Sequence, residues 1–182
     1  YAIPFDNYGI VVFHPVTSEA DSMGKQAEAL FAALKDSERN FVLIAPNNDP
    51  GSASILKVIA TLPKNRFRML PSMRFSHFSE LMRNAAAMIG NSSAGVREAP
   101  FLGIPSLDVG TRQTNRAQAD SICHVTAFDR GAIDTFLSQD WNKRYDRHNA
   151  FGEGSAAERF GAVLQAPSFW AANLQKAFKD SE

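Results

Sequence analysis

The sequence lacks most of the features that commit a chain to a special environment. Cys123 is its one cysteine in 182 residues. No intrachain disulfide can form, and a reducing cytoplasm is the compartment expected. No run of about 18 apolar residues occurs, which excludes a membrane-spanning helix. Neither sign of charge is in excess, with 19 Lys and Arg against 19 Asp and Glu. That balance removes the electrostatic footprint of a nucleic-acid or membrane-surface binder. There is no GxGxxG and no Walker loop, so the usual signatures for NAD and ATP are missing. His77, His124, His148 and Cys123 do not stand at metal-ligand spacing, and neither a metal nor a cofactor is expected. No internal repeat, low-complexity tract or glycine-serine linker is present. The opening YAIPFDNYGIVVFHP has no signal-peptide layout and no initiator methionine, so a processed chain or a piece of a longer one is expected.

What is present is ordinary globular material: 45% apolar and 21% charged residues, enough to bury a core in a chain of this length. Short apolar runs alternate with segments of helical spacing. Strands are expected at Gly9 to Phe13, in NFVLIAP, RFRML, AMIG and IPSLDV, and in ICHV. Between them, Met23, Ala27, Leu30, Phe31 and Leu34 keep helical spacing, with Ser18 as the expected N-cap. Helices are also expected at Ala53 to Thr61, in FSHFSELMRNA, after Ser92-Ser93, in DRGAIDTFLS, at Ala156 to Leu164 and at Phe169 to Phe178. Continuous apolar strands separated by helices imply βαβ units and strands covered on both faces. The fold class is therefore α/β: a Rossmann-like parallel sheet of about six strands, with helices on both sides. The more polar stretch from Trp141 to Gly154 is read as a bend.

In such a sheet, ligands gather outside the carboxyl ends of the strands. His14 follows the first strand, where an imidazole can donate a hydrogen bond or move a proton; a histidine satisfied by local backbone is the alternative. Asn47 and Asn48 lie in a turn that reaches the same end, although turn-forming residues need no function. The LPSMRF loop offers backbone groups to the edge of a flat ring, or is an ordinary connection. Gly90-Asn91-Ser92-Ser93 joins a strand to a helix, and helix-start N–H groups make an anion site. Glu98, one turn on, can accept from a ribose diol. A serine that merely caps the helix explains the same residues equally well. Arg112 and Arg116 follow the fifth strand, where a guanidinium can pair with phosphate or simply be solvated. Pro100 should shorten the helix that precedes it.

Taken together, FHPVT, GNSSAGVREAPFLGIPSLDVGTRQ and the late FGEGSAAERF resemble the UDP-N-acetylglucosamine 2-epimerase family, and within it the hydrolysing branch. The resemblance runs from about Tyr8 to Val163. It implies a fold of the GT-B type, two Rossmann-like domains with the active site between them, of which this chain is the carboxyl-terminal half. Residues 1–166 would be the UDP-binding domain, and 167–182 a helix packed on the amino-terminal half. By the same likeness Ser92 and Ser93 would bind the diphosphate, and Glu98 the ribose. Met73 and Arg74 would meet uracil through backbone groups, Arg112 would lie near the nucleotide, and His14 would act beside the sugar–phosphate linkage. The implied partners are UDP, a UDP-N-acetyl-amino sugar and the amino-terminal domain of the same enzyme, with a homo-oligomer left open. The implied reaction eliminates UDP across C1 and C2 and then adds water, giving N-acetylmannosamine or a related sugar for sialic-acid-type pathways. A donor-nucleotide domain of a GT-B glycosyltransferase is the alternative, and a binding module without turnover is a third reading.

Overall fold

The structure of the chain is a computed structural model, and residues 1–171 and 175 are described. Six strands form one sheet: β1 (Gly9–Val12), β2 (Phe41–Ile44), β3 (Phe67–Leu70), β4 (Ala87–Gly90), β5 (Ser106–Val109) and β6 (Ile122–Val125). Every neighbouring pair is parallel. Their order is β3-β2-β1-β4-β5-β6. The order reverses between β1 and β4, which opens the crevice where ligands bind in sheets of this kind.

Strand alternation sorts the core into two layers. Val11, Phe13, Phe41, Leu43, Ile89, Leu107 and Val109 point to one face. There they meet Phe31 and Leu34 of α1 (Met23–Asp36), Ile55 of α2 (Ser52–Ile59), and Ile133 and Phe136 of α6 (Arg130–Gln139). Ile10, Val12, Val42 and Met88 point to the other. They pack on Met82 of α3 (Phe75–Arg83), Ala94 of α4 (Ser93–Val96) and Ala99 of α5 (Glu98–Phe101). Helices on both faces explain why the strand sequences are apolar without a polar alternation.

Two expectations about helix ends have different outcomes. Ser18 is not the N-cap of α1. Thr17–Ser22 winds as a 3₁₀ segment, broken at Glu19 (φ −119°, ψ 15°), and α1 begins at Met23. The Ser22 hydroxyl donates to the Glu19 carbonyl and accepts from no backbone N–H of the helix. Downstream, Pro100 does shorten a helix. It has no N–H to reach Val96 and its ring crowds that carbonyl. The segment after Ser92 is therefore two single turns, α4 and α5, parted at Arg97 (φ −116°, ψ −60°).

After α6 the chain crosses the amino-terminal ends of the strands. Trp141 lies against Gly9, donates to the Asn7 side chain at 2.8 Å, and meets Phe41 edge-on. Asn142, Tyr145 and His148 donate their N–H groups to the carbonyls of Ala86, Gly103 and Pro100. This compact unit spans Tyr1–His148, and a second begins at Asn149. The second holds α7 (Ala156–Gln165) and α8 (Pro167–Trp170). Beyond Ala171 the remainder of the expected helix from Phe169 to Phe178 lies, but for Gln175, outside the described residues. No helix among the described residues is long and apolar enough to cross a membrane.

Gly90 sets the exit of β4. Its φ is +123°, and a Cβ there would lie 2.1 Å from the Val12 carbonyl oxygen of the adjacent strand. Gly90→Ala is expected to destabilise the chain by about 3 kcal/mol or more, through left-handed strain and this clash together. Urea unfolding of the two proteins measures it.

Candidate functional site

At the crevice between β1 and β4, two loops are joined through one side chain. Asn91, the first residue beyond β4, is 1% exposed. Its Oδ1 accepts from the His14 N–H, and its Nδ2 donates to the His14 carbonyl, both at 2.7 Å. This reciprocal pair ties the end of β1 to the end of β4. Asn91 also offers its own carbonyl to two donors from the loop after β5: Arg112 Nη1 at 3.1 Å and Gln113 Nε2 at 2.8 Å. Gln113 is wholly buried.

His14 is held in one tautomer. The Asn47 N–H donates to its Nδ1 at 3.1 Å, so in the neutral ring the proton sits on Nε2. Burial pushes the His14 pKa below its ordinary value. The nearby Arg112 charge lowers it further, and Asp49 opposes both. The neutral ring is thus favoured, with a donor N–H on the side away from Asn47.

A cavity of about 580 Å³ opens here, lined by His14, Asn47, Asn48, Met73, Phe75, Phe78 and Ser92 among others. Of the residues singled out in the sequence, His14, Asn47, Asn48, Met73 and Ser92 share it. Ser92 also caps α4, accepting from the Ala94 N–H at 3.3 Å. Ser93 is the first residue of α4 and does not line the cavity. Because α4 is one turn long, its aligned-dipole contribution is small, and its first N–H groups are what it offers an anion. Glu98 lies in the first turn of α5, half-buried, with one carboxylate oxygen enclosed and unpartnered. Arg112 stands beside the cavity on the Asn91 carbonyl. Arg74 precedes α3 with its side chain exposed, and Arg116 is exposed too; neither lines the cavity.

Asn91 and Gln113 were missed as site residues. A small amide in a glycine-serine turn looks like a turn former, and only its partners beyond the two adjacent strands distinguish it. Asp108 was also unforeseen. It is 2% exposed, takes the His124 Nδ1–H at 2.9 Å, and its pKa is raised by burial against the opposing bond and charge of His124. Among the described residues, no group of three or more His, Cys, Asp or Glu side chains could hold a metal ion.

A sequence profile described as UDP-N-acetylglucosamine 2-epimerase matches residues 2–165. The chain belongs to the UDP-N-acetylglucosamine 2-epimerase family. It is 41% identical over 183 aligned positions to a UDP-N-acetylglucosamine 2-epimerase of Neisseria meningitidis, covering 99% of this chain and 48% of that protein. It is 29% identical to a hydrolysing UDP-N,N'-diacetylbacillosamine 2-epimerase of Legionella pneumophila, over 86% of this chain and 42% of the relative. The chain therefore spans about half the length of the curated epimerases it matches. In three dimensions it resembles a UDP-GlcNAc 2-epimerase from Neisseria meningitidis solved with UDP-GlcNAc. The TM-score is 0.69 at 17% identity, covering 89% of this chain and 46% of that one. At that identity the likeness speaks for the epimerase fold, of GT-B type, with the parallel sheet described above.

The His14 geometry fixes a pH dependence. A histidine whose folded pKa is depressed adds stability above its unfolded pKa of about 6.5, and that stability is lost as pH falls through the folded value. Unfolding free energies of the wild type and His14→Gln should therefore diverge less at pH 5.5 than at pH 7.5. A pH-independent difference would mean that the ring is not held neutral.

Proposed function

We propose that the chain is the UDP-binding half of a hydrolysing UDP-N-acetylglucosamine 2-epimerase, which converts a UDP-N-acetyl-amino sugar and water into UDP and the free 2-epimeric sugar. The observation that carries this is the cavity at the β1–β4 crevice. It has a neutral imidazole donor at one wall, a serine at a helix start beside it, and a guanidinium on the adjoining loop. The relative whose name includes the word hydrolyzing supports the choice of branch.

In this reading the Ser92 hydroxyl and the N–H groups at the start of α4, around Ser93, receive the diphosphate. Glu98, in the first turn of α5, accepts from the ribose hydroxyls. Met73 and the adjoining Arg74 backbone border the base. The C2 proton is removed, the C1–O bond breaks, and its electron pair leaves on the diphosphate, forming a C1–C2 double bond in the sugar. Charge grows on the departing oxygen, where a positioned donor and a cation lower the barrier most. His14 Nε2–H and Arg112 suit those two roles. Water then adds, its hydroxyl going to C1 and a proton reaching C2 from the opposite face. The carboxylates that handle the C2 proton belong to the other half of the enzyme, so this chain alone has no turnover.

Calorimetric titration of the chain with UDP, uridine and ATP tests the nucleotide site. UDP is expected to bind in preference to ATP. Arg112→Ala should weaken UDP by about tenfold or more while leaving uridine nearly unchanged, as removal of a charge-assisted phosphate bond would do. Absence of UDP binding overturns the reading. For the reaction, the full-length enzyme in deuterated, ¹⁸O-labelled water should give a sugar with deuterium at C2 and ¹⁸O at C1. A product still attached to UDP would place the enzyme outside the hydrolysing branch, and transfer to an acceptor sugar would make it a glycosyltransferase.

A further inference from the structure

One side-chain pair joins two loops far apart in sequence. Glu19 stands at the break in the 3₁₀ segment after β1. One of its carboxylate oxygens accepts the Thr111 hydroxyl, and the other accepts the Gln26 amide at 2.8 Å. Gln26 is itself 8% exposed, and its Nε2 is also 2.9 Å from Ser22 Oγ. The Ser22 hydroxyl returns to the Glu19 carbonyl. Glu19 is thus braced on its own side before it meets Thr111. Those two hydrogen bonds, Thr111 first, hold its carboxyl below the usual range against a small opposing effect of burial, so it is ionised at neutral pH.

Thr111 opens the loop that carries Arg112 and Gln113. Gly110 N–H anchors that loop to the Val125 carbonyl, and both side chains end on the Asn91 carbonyl. An arginine on an exposed loop ordinarily samples many rotamers and must give up that freedom when it grips a ligand. Here the side chain just before it is pinned to a different loop of the same crevice. The guanidinium ends on the carbonyl of Asn91, the residue whose side chain holds the His14 backbone, and its charge lowers the His14 pKa.

We propose that Glu19 and Thr111 form a clamp that fixes the Arg112 guanidinium beside His14 and the phosphate end of the cavity. Both are positioning residues. Their effect on the nucleotide rests on the UDP reading; the clamp itself does not. Glu19 lies outside the cavity lining and has both oxygens engaged, which keeps its negative charge from competing for the phosphate site.

Thr111→Val keeps the side-chain shape at an exposed position and removes only the hydroxyl, whereas Thr111→Ser keeps the hydroxyl. NMR titration of the His14 ring in the ligand-free chain decides the clamp. The Val variant should titrate at higher pH than wild type, in the direction of Arg112→Ala, and the Ser variant should match wild type. Asp49, the other charge felt by His14, is on a separate loop and keeps its influence in every variant. A Val variant that titrates with wild type overturns the proposal. In parallel, Thr111→Val should bind UDP about tenfold more weakly and uridine equally well. Equal loss for both ligands would mean general loosening and would also overturn it. If the wild-type chain binds no UDP, the nucleotide reading fails, while the His14 titration still decides the clamp.

Discussion

The site depends on a buried amide exchanging two hydrogen bonds with a backbone. Asn91 is 1% exposed, and an unmet buried amide is costly. Its side chain therefore fixes where β4 ends relative to β1. That distance sets the width of the crevice. Because the Asn91 carbonyl also receives Arg112 and Gln113, three separate loops take their position from one residue. Gly90, immediately before it, allows the chain to leave β4 so close to Val12 that only a residue without a side chain fits. The glycine and the asparagine work as one joint: the first makes the approach sterically possible, and the second locks it.

The sheet was legible in the sequence because its physics is local. A strand buried on both faces must be a short apolar run, and GIVV, FVLI and AMIG are such runs. Helical spacing between them then dictates parallel strands. The place of His14 and Ser92 at the mouth of the crevice was legible for the same reason, since the topology says which residues follow each strand. What could not be read was long-range polar pairing. Asn91 with His14, Thr111 with Glu19 and Asp108 with His124 each join residues on different elements, and nothing in the residues nearby marks them. Ser18 shows the complementary failure. Thr17, Ser18, Asp21 and Ser22 all offer capping side chains, and local sequence does not choose among them; the turn at Glu19 does.

Arg74 and Met73 illustrate how finely a loop divides. They are neighbours, and the resemblance gave both the same role. The fold puts Met73 on the cavity wall and turns the Arg74 side chain to solvent at the start of α3. A role that uses backbone groups survives that difference, whereas a role for the Arg74 guanidinium would not.

The bond that sets the His14 tautomer comes from the main chain of Asn47, and the Asn47 side chain plays no part in it. Any of the nineteen residues with a backbone N–H at position 47 supplies the same hydrogen bond, and proline alone cannot. The wall of the cavity at that point is thus free to change chemistry through substitution while the imidazole next to it keeps its orientation. The side-chain chemistry of that wall and proton placement on the ring are, in this fold, set by different parts of one residue.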